Sequence, residues 1–331
     1  MPAASLPERV LLMGRSQHQR RRGNVGSGGF DERRANGISM NLPFGDYMDE
    51  GDQWITIFDS PYYPDQLEAA KTRYAPVIER FAELAAQATD TQALFREIQS
   101  RPPDIRIQLL RVFRRYVSPD TTVEMLKRIR STEQTIERFG SRFRSIEAVR
   151  GKLMARPAPD EALIALLDEH SERGRKGYQL TEAFFIWFET AFDDRAWSIE
   201  GPTGAGRDVE LQSILADYQI STPADFVISD RFGSPRVIGF ARYDSDRGGA
   251  QEDDRIGGNA RRLREILSYN EVTLGPLKVV FLNDGPGLLL GSMWRDYASI
   301  ETSGNGRALV TTLKMAQAGR FTADWIERSA S

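Results

Sequence analysis

The 331-residue chain has no cysteine and only two histidines, His18 and His170. It can therefore form neither disulfides nor thiolate zinc sites and has no catalytic thiol, and a multi-histidine metal centre is all but excluded. Any bound metal must be held by carboxylates and water, the ligand set of Mg²⁺ and similar hard ions. No apolar run reaches the about 18 residues a membrane helix needs. In MPAASLPERVLLMGRSQHQRRR the short apolar stretch precedes the basic cluster, the reverse of a secretory signal, so a cytoplasmic protein with no membrane partner is expected.

With 40% hydrophobic residues the chain can bury a large core. The net charge of -3 does not exclude a strongly basic face, because distribution decides what a surface attracts. Residues 1–40 lack periodicity, are rich in glycine and carry Arg20, Arg21 and Arg22. They read as a mobile basic arm or, equally, as a solubilising tail.

Residues 41–175 form a mainly helical region. Apolar residues recur at helical spacing from Pro64 to Ala88, Ile105 to Val117, Thr121 to Arg130 and Thr132 to Val149, and Asp160 is placed to cap a helix over Glu161 to His170. The many Arg and Lys between Arg101 and Arg156 suit a DNA clamp, dimer contacts or simply a solvated face. His170 reads as a histidine on the helix surface.

Residues 176–331 read as the catalytic core. A helix over Tyr178 to Phe192 is apolar on most of its circumference and is expected to be buried; its FFIWF run is core or dimer interface. DVELQSIL, ADFVIS, RVIGFARY and LKVVFLND read as strands, IGGNARRLREILSYN as a helix between the last two. GLLLGSMWRDYASIE reads as another helix, followed by the strand ALVTTL and a terminal helix. The order of helix, three strands, helix and strand predicts a three-layer α/β/α arrangement around a central mixed sheet.

GPTGAGRD, residues 201–208, superficially matches a phosphate-cradling loop. Asp208, however, stands where that loop needs a hydroxyl, so a glycine-rich turn is the better reading. Strand alternation puts Ile238, Phe240, Arg242 and Asp244 on one face. In an antiparallel hairpin, Asp225 at the start of one strand meets the end of the other. Asp225, Arg242 and Asp244 can then gather around a divalent ion and a phosphate. Asp208 and Glu210, two residues apart, are the supplementary acids, or else belong to solvated strand ends.

Past Tyr243 the chain runs into DSDRGGAQEDDR. Asp246, Arg247, Gln251, Glu252 and Arg255, with Asp253 and Asp254, suit a loop that reads base edges: Arg and Gln pair with guanine and adenine, and Asp and Glu accept from cytosine. A plain charged surface loop has the same composition. Asn259, Arg261, Arg262 and Arg264 open the next helix, where arginines favour a phosphate or a base edge, or form an exposed face.

These residues together resemble the PD-(D/E)xK nuclease core and, in their continuation, type II restriction endonucleases of the EcoRI kind. The resemblance rests on Pro223 and Asp225 in PADFVIS and on Arg242 at the position of the motif lysine. It continues through RGGAQEDDRIGGNARRLREI, residues 247–266, and LKVVFLNDG, residues 277–285, and covers roughly residues 220–285. Ala224 separates the proline from the aspartate, Phe240 replaces the expected acid, and Arg242 cannot act as a general base because its pKa exceeds about 12.

The resemblance implies a restriction-endonuclease-like core and a Mg²⁺-dependent, site-specific endonuclease that cuts double-stranded DNA. Asp225 and Asp244 would be metal ligands with Glu210 or Asp208 in support, Arg242 would sit on the scissile phosphate, and residues 246–262 would be the reader. A homodimer matches a symmetric site, and a cognate DNA methyltransferase is the expected genetic partner. A non-catalytic DNA-binding protein on a degenerate nuclease scaffold is the alternative, and an RNA- or nucleotide-directed hydrolase a further one.

Overall fold

The computed structural model describes residues 42–156, 158–202, 204, 206, 208–245, 251–273 and 277–328. The expected arm at 1–40 lies outside them. Amphipathic spacing builds the helical part. α1 (Asp65–Gln87) buries Ala70, Tyr74, Val77, Phe81, Leu84 and Ala85, a stripe repeating every three or four residues. α2 (Thr91–Gln99), not foreseen from the sequence, is capped by Asp90, whose carboxylate accepts from Ala93 N at 2.7 Å. α3 (Pro103–Tyr116) begins with proline at its first helical position, where no N–H is needed.

The expected helix at 121–130 is reduced to a turn at Val123–Leu126 and a 3₁₀ turn at Ile129–Ser131. That expected at 132–149 is broken into α4 (Thr132–Phe139) and α5 (Ile146–Met154). The break lets Phe143 insert edge-on against Phe95 and Phe113, with centroids at 6.2 and 5.4 Å, and Ser145 restarts the helix as its cap. Packing thus overrides local helical pattern.

α6 runs unbroken from Glu161 to Ala191, where two helices were expected. Glycines in the polar middle weaken a helix without stopping it, and no proline intervenes. Asp160 caps it as expected, accepting from Leu163 N at 3.2 Å. Its first half places Leu163, Ile164 and Leu167 in the helical core; its second half places Leu180, Phe184, Phe185 and Phe188 in the core beneath the sheet. The FFIWF aromatics are thus largely core, Ile186 remaining exposed. The boundary drawn at 175 falls within this helix, and residues 40–331 group as one unit.

The sheet has five strands in the order β1 (Trp197–Glu200), β4 (Phe226–Asp230), β5 (Pro235–Tyr243), β6 (Lys278–Asp284) and β7 (Ala308–Thr311). β1, β4 and β5 form an antiparallel meander, and β6 and β7 continue parallel to β5. The result is an α/β fold with a mixed sheet. The first meander strand is WSIE, not DVELQSIL. Only Val209–Glu210 of the latter is extended, as β2, pairing with β3 (Pro223–Ala224) in a separate ladder. Leu211 and Leu215, both buried, then turn helically, with Leu215 N donating to Leu211 O at 2.9 Å.

The β4–β5 turn relies on Gly233 at φ +76°, a backbone conformation that side chains disfavour. Phe226, Ile228, Val237, Val280 and Leu282 face α6. The opposite face carries α7 (Gln251–Thr273) and α8 (Met293–Ser303). α7 starts five residues before the expected IGGNARRLREILSYN, so Gln251 to Arg255 are helical rather than loop. The expected terminal helix is three short turns, Leu313–Met315, Ala316–Arg320 and Ala323–Glu327, interrupted at Gly319 with φ +96°.

Residues 42–58 form a strap against the sheet unit rather than part of the helical region. Phe44 stacks on Trp294 at 4.6 Å, and its N–H donates to Glu301 Oε2 at 2.8 Å. Further along, Thr56 N donates to Asp284 Oδ1 at 2.6 Å and Thr56 O accepts from Tyr243 OH at 3.1 Å. Among the described residues, no helix is long and apolar enough to cross a membrane.

Candidate active site

Asp225 sits between β3 and β4, tied to β5 by two contacts. Its N–H donates to Gly239 O at 3.0 Å, and its Oδ2 accepts from Ala241 N at 2.8 Å. The backbone geometry of the hairpin therefore fixes the carboxylate. Burial pushes its acidity toward the neutral form, and the charge of Asp208 pushes the same way. The Ala241 N–H and the guanidinium groups of Arg262 and Arg242 oppose them, and the net shift is upward from the ordinary carboxylate value. Asp208, Arg242 and Arg262 are thus its electrostatic neighbours.

Arg242 and Asp244 stand two residues apart on one face of β5, as alternation requires. Arg242 Nε donates to Asp244 Oδ1 at 2.7 Å; the carboxylate side chain is 1% exposed and the guanidinium side chain 41%. The acid anchors the base, whose outer edge remains accessible. In the parallel register Asn283 of β6 lies beside Arg242. Asn283 is buried, and its Nδ2 has no hydrogen-bond partner among the described residues.

Phe240, where the motif acid was expected, is 4% exposed and stacks on Phe281 at 5.6 Å. The Arg262 guanidinium lies over its ring, 4.9 Å from the centroid. Arg262 Nη1 also reaches Asn259 Oδ1 at 3.5 Å. Arg261 points elsewhere, exposed and 3.6 Å from Glu265 one turn on.

The expected cluster is therefore assembled in part. Asp225 is subject to the charges of Asp208, Arg262 and Arg242, and Asp244 joins through Arg242. Glu210 is exposed on β2, where its carboxylate accepts from Ser221 Oγ at 3.4 Å. Asp246 and Arg247 lie outside the described residues, as do the side chains of His170, Gln251, Glu252, Asp253, Asp254 and Arg255. The sequence reading does not foresee the contact of Phe240 with Arg262 or the buried amide of Asn283 beside Arg242. A polar residue on a strand face otherwise apolar was the available signal for Asn283.

Among the described residues no three Asp, Glu or His side chains come together as a metal cage. Asp225 with Asp208 is a pair of carboxylates close enough to repel, the donor chemistry that suits a Mg²⁺ ion that keeps most of its waters. The two guanidinium groups suit an anionic oxygen, and both carboxylate and phosphate match their forked donors. Compared with known protein families, curated proteins and solved structures, the chain shows no match.

Proposed function

We propose that the protein is a Mg²⁺-dependent, site-specific endonuclease acting on double-stranded DNA, with a restriction-endonuclease-like core. The observation that carries this reading is one half-buried carboxylate, Asp225, held at the end of a hairpin by the Gly239 and Ala241 backbone and subject to the charges of a second acid and two arginines. The succession of α6, the β1–β4–β5 meander, α7 and parallel β6 between helical layers agrees with the three-layer core of the nucleases the sequence resembles.

Phosphodiester hydrolysis needs charge stabilisation on the entering and leaving oxygens and a nucleophilic water near neutral pH. When bound, Mg²⁺ would supply Lewis acidity and lower the pKa of its water. Asp225 and Asp208 would hold it, in place of the expected set of Asp225, Asp244 and Glu210, because Asp244 is buried against Arg242 and Glu210 is turned to Ser221. Arg242, oriented by Asp244, binds a non-bridging oxygen of the scissile phosphate; permanently protonated, it stabilises charge but takes no proton. Base reading would fall to the polar groups the sequence offers between 246 and 262. A homodimer suits cutting both strands at a symmetric site, and a methyltransferase would protect the host's own sites.

A second reading is a DNA-binding protein that does not cut, favoured by the lack of a three-acid group among the described residues. Incubating purified protein with phage DNA, with and without Mg²⁺, separates the two. Discrete Mg²⁺-dependent fragments, lost in Asp225→Ala while DNA retention persists, support the enzyme. Salt-sensitive retention without fragments supports the binder.

A further inference from the structure

We propose that Arg262 is a phosphate-binding residue of the reaction centre, and that Phe240 is the shelf that seats it there. The proposal rests on the nuclease reading of the Asp225 site and changes one assignment within it: Arg262 leaves the group of base readers and joins Arg242 on the scissile phosphate.

Three observations carry it. Phe240 is buried, is fixed by stacking on Phe281, and offers its ring face to the Arg262 guanidinium at 4.9 Å, inside the range of a cation–π contact. Asn259, itself buried, takes a second edge of the same group. The hairpin register pairs Phe226 with Gly239, which sets Asp225 at the level of Phe240, so a guanidinium over that ring lies on the Asp225 side of the sheet, whereas Arg261 is exposed beside Glu265.

The two arginines differ in what they have already bound. Arg242 is committed to Asp244 at 2.7 Å, whereas Arg262 makes no ion pair among the described residues. A phenyl face orients a guanidinium without neutralising it. An acid at position 240, on the same face and in contact with α7, would pair with Arg262 and cancel the charge an incoming phosphate needs. The residue that looks like a broken motif is thus the one that keeps the second cation available.

The test uses the full chain and the variants Arg262→Met, Arg262→Lys, Phe240→Leu and Phe240→Tyr, each checked for a cooperative thermal melt. Cleavage of phage DNA is followed with enzyme in excess over DNA, and retention of the same DNA is measured in EDTA. Removing one preorganised charge from the transition state should slow Arg262→Met about 100-fold while its DNA affinity stays within about threefold. Arg262→Lys, a point charge without the fork, falls between. Phe240→Leu should slow cutting about tenfold and Phe240→Tyr should recover most of that rate, because only the ring face is required.

Cutting by Arg262→Met at the wild-type rate, or an altered set of cut sites with unchanged rate, overturns the proposal; the latter outcome returns Arg262 to base reading. Should Phe240→Leu fail to fold, the comparison of Arg262→Met with Phe240→Tyr still decides. A titration with inorganic phosphate in EDTA, read as ³¹P line broadening, separates this inference from the nuclease reading. If the wild type binds DNA without cutting it, yet broadens the phosphate line and Arg262→Met does not, the nuclease reading fails and the two-arginine seat stands. Equal broadening by the two proteins, or none by either, sinks the seat.

Discussion

Arg242 and Asp244 are bound to each other along one face of β5, a half-exposed guanidinium held by a buried carboxylate at 2.7 Å. The pair is asymmetric, and so are the consequences of breaking it. Arg242→Ala leaves a buried acid without its guanidinium, whereas Asp244→Ala releases a guanidinium that can turn to water. With discounting for the exposure of Arg242, the first should cost about 2 kcal/mol and the second about 1 kcal/mol. Urea denaturation of both variants checks the order; a larger loss in Asp244→Ala contradicts it.

Gly239 links the sheet core to the site. A Cβ there would lie 2.1 Å from Cζ and Cε2 of Phe226, a fully buried ring wedged between β5 and α6. Gly239 O is also the acceptor for the Asp225 N–H. Gly239→Ala should therefore destabilise by about 3 kcal/mol through overpacking and displace Asp225 with the same movement. Phe226→Leu in the same chain should relieve part of the strain. Additive losses in the double variant would falsify the contact.

The hairpin turn has its own acid dependence. Burial pulls the Asp230 carboxyl up. The Arg236 guanidinium, at 2.8 and 2.7 Å, and the Ser234 and Phe232 N–H groups outweigh it, and the net shift is below the ordinary carboxylate value. A depressed carboxylate stabilises the fold above its unfolded pKa of about 3.9, and that stabilisation is lost as the pH falls through the native value. The gap in urea midpoint between wild type and Asp230→Asn should be full at neutral pH and close on acidification. A gap that is constant with pH would mean that the effect is not ionic.

Asp284 fastens three segments. Oδ1 accepts from Thr56 N at 2.6 Å and Gly285 N at 2.7 Å, and Oδ2 accepts from Leu313 N at 2.9 Å. Asparagine cannot replace it, because either orientation of the amide turns an NH₂ toward a backbone donor. Asp284→Asn should cost about 3 kcal/mol despite its near-identical volume, with hydrogen exchange at Thr56 or Leu313 accelerated. Protection unchanged at both positions argues against the clasp.

How far the sequence reveals this molecule depends on the range of the forces involved. The β4–β5 hairpin, β6 and β7 announce themselves through turn glycine and apolar runs, and Asp225, Arg242 and Asp244 follow from alternation alone. β1 is hidden because WSIE is four residues long and offers almost no period. The strap at 42–58 has no pattern at all, since buried polar contacts to Asp284, Glu301 and Trp294 hold it, each more than two hundred residues away. The contact of Arg262 with Phe240 is of the same kind. It exists only because α7 lies on β5, and nothing local in either segment encodes it.

Asp208 and Glu210 are two residues apart and both exposed; the sequence reading offers both as supporting acids, with Glu210 as the metal ligand, and the structure favours Asp208. Asp208 acts on Asp225 by charge, while Glu210 accepts from Ser221 Oγ at 3.4 Å. If a hard cation sits between Asp225 and Asp208, Asp208→Asn removes a ligand charge and should slow Mg²⁺-dependent cutting at least about tenfold, shifting half-saturation to higher Mg²⁺. Glu210→Gln should cut within about twofold of wild type, as exposed substitutions away from a site generally do. Rates measured across a Mg²⁺ series distinguish the two acids. A Mg²⁺ shift in Glu210→Gln and none in Asp208→Asn would move the cation to the other side of the β2–β3 ladder.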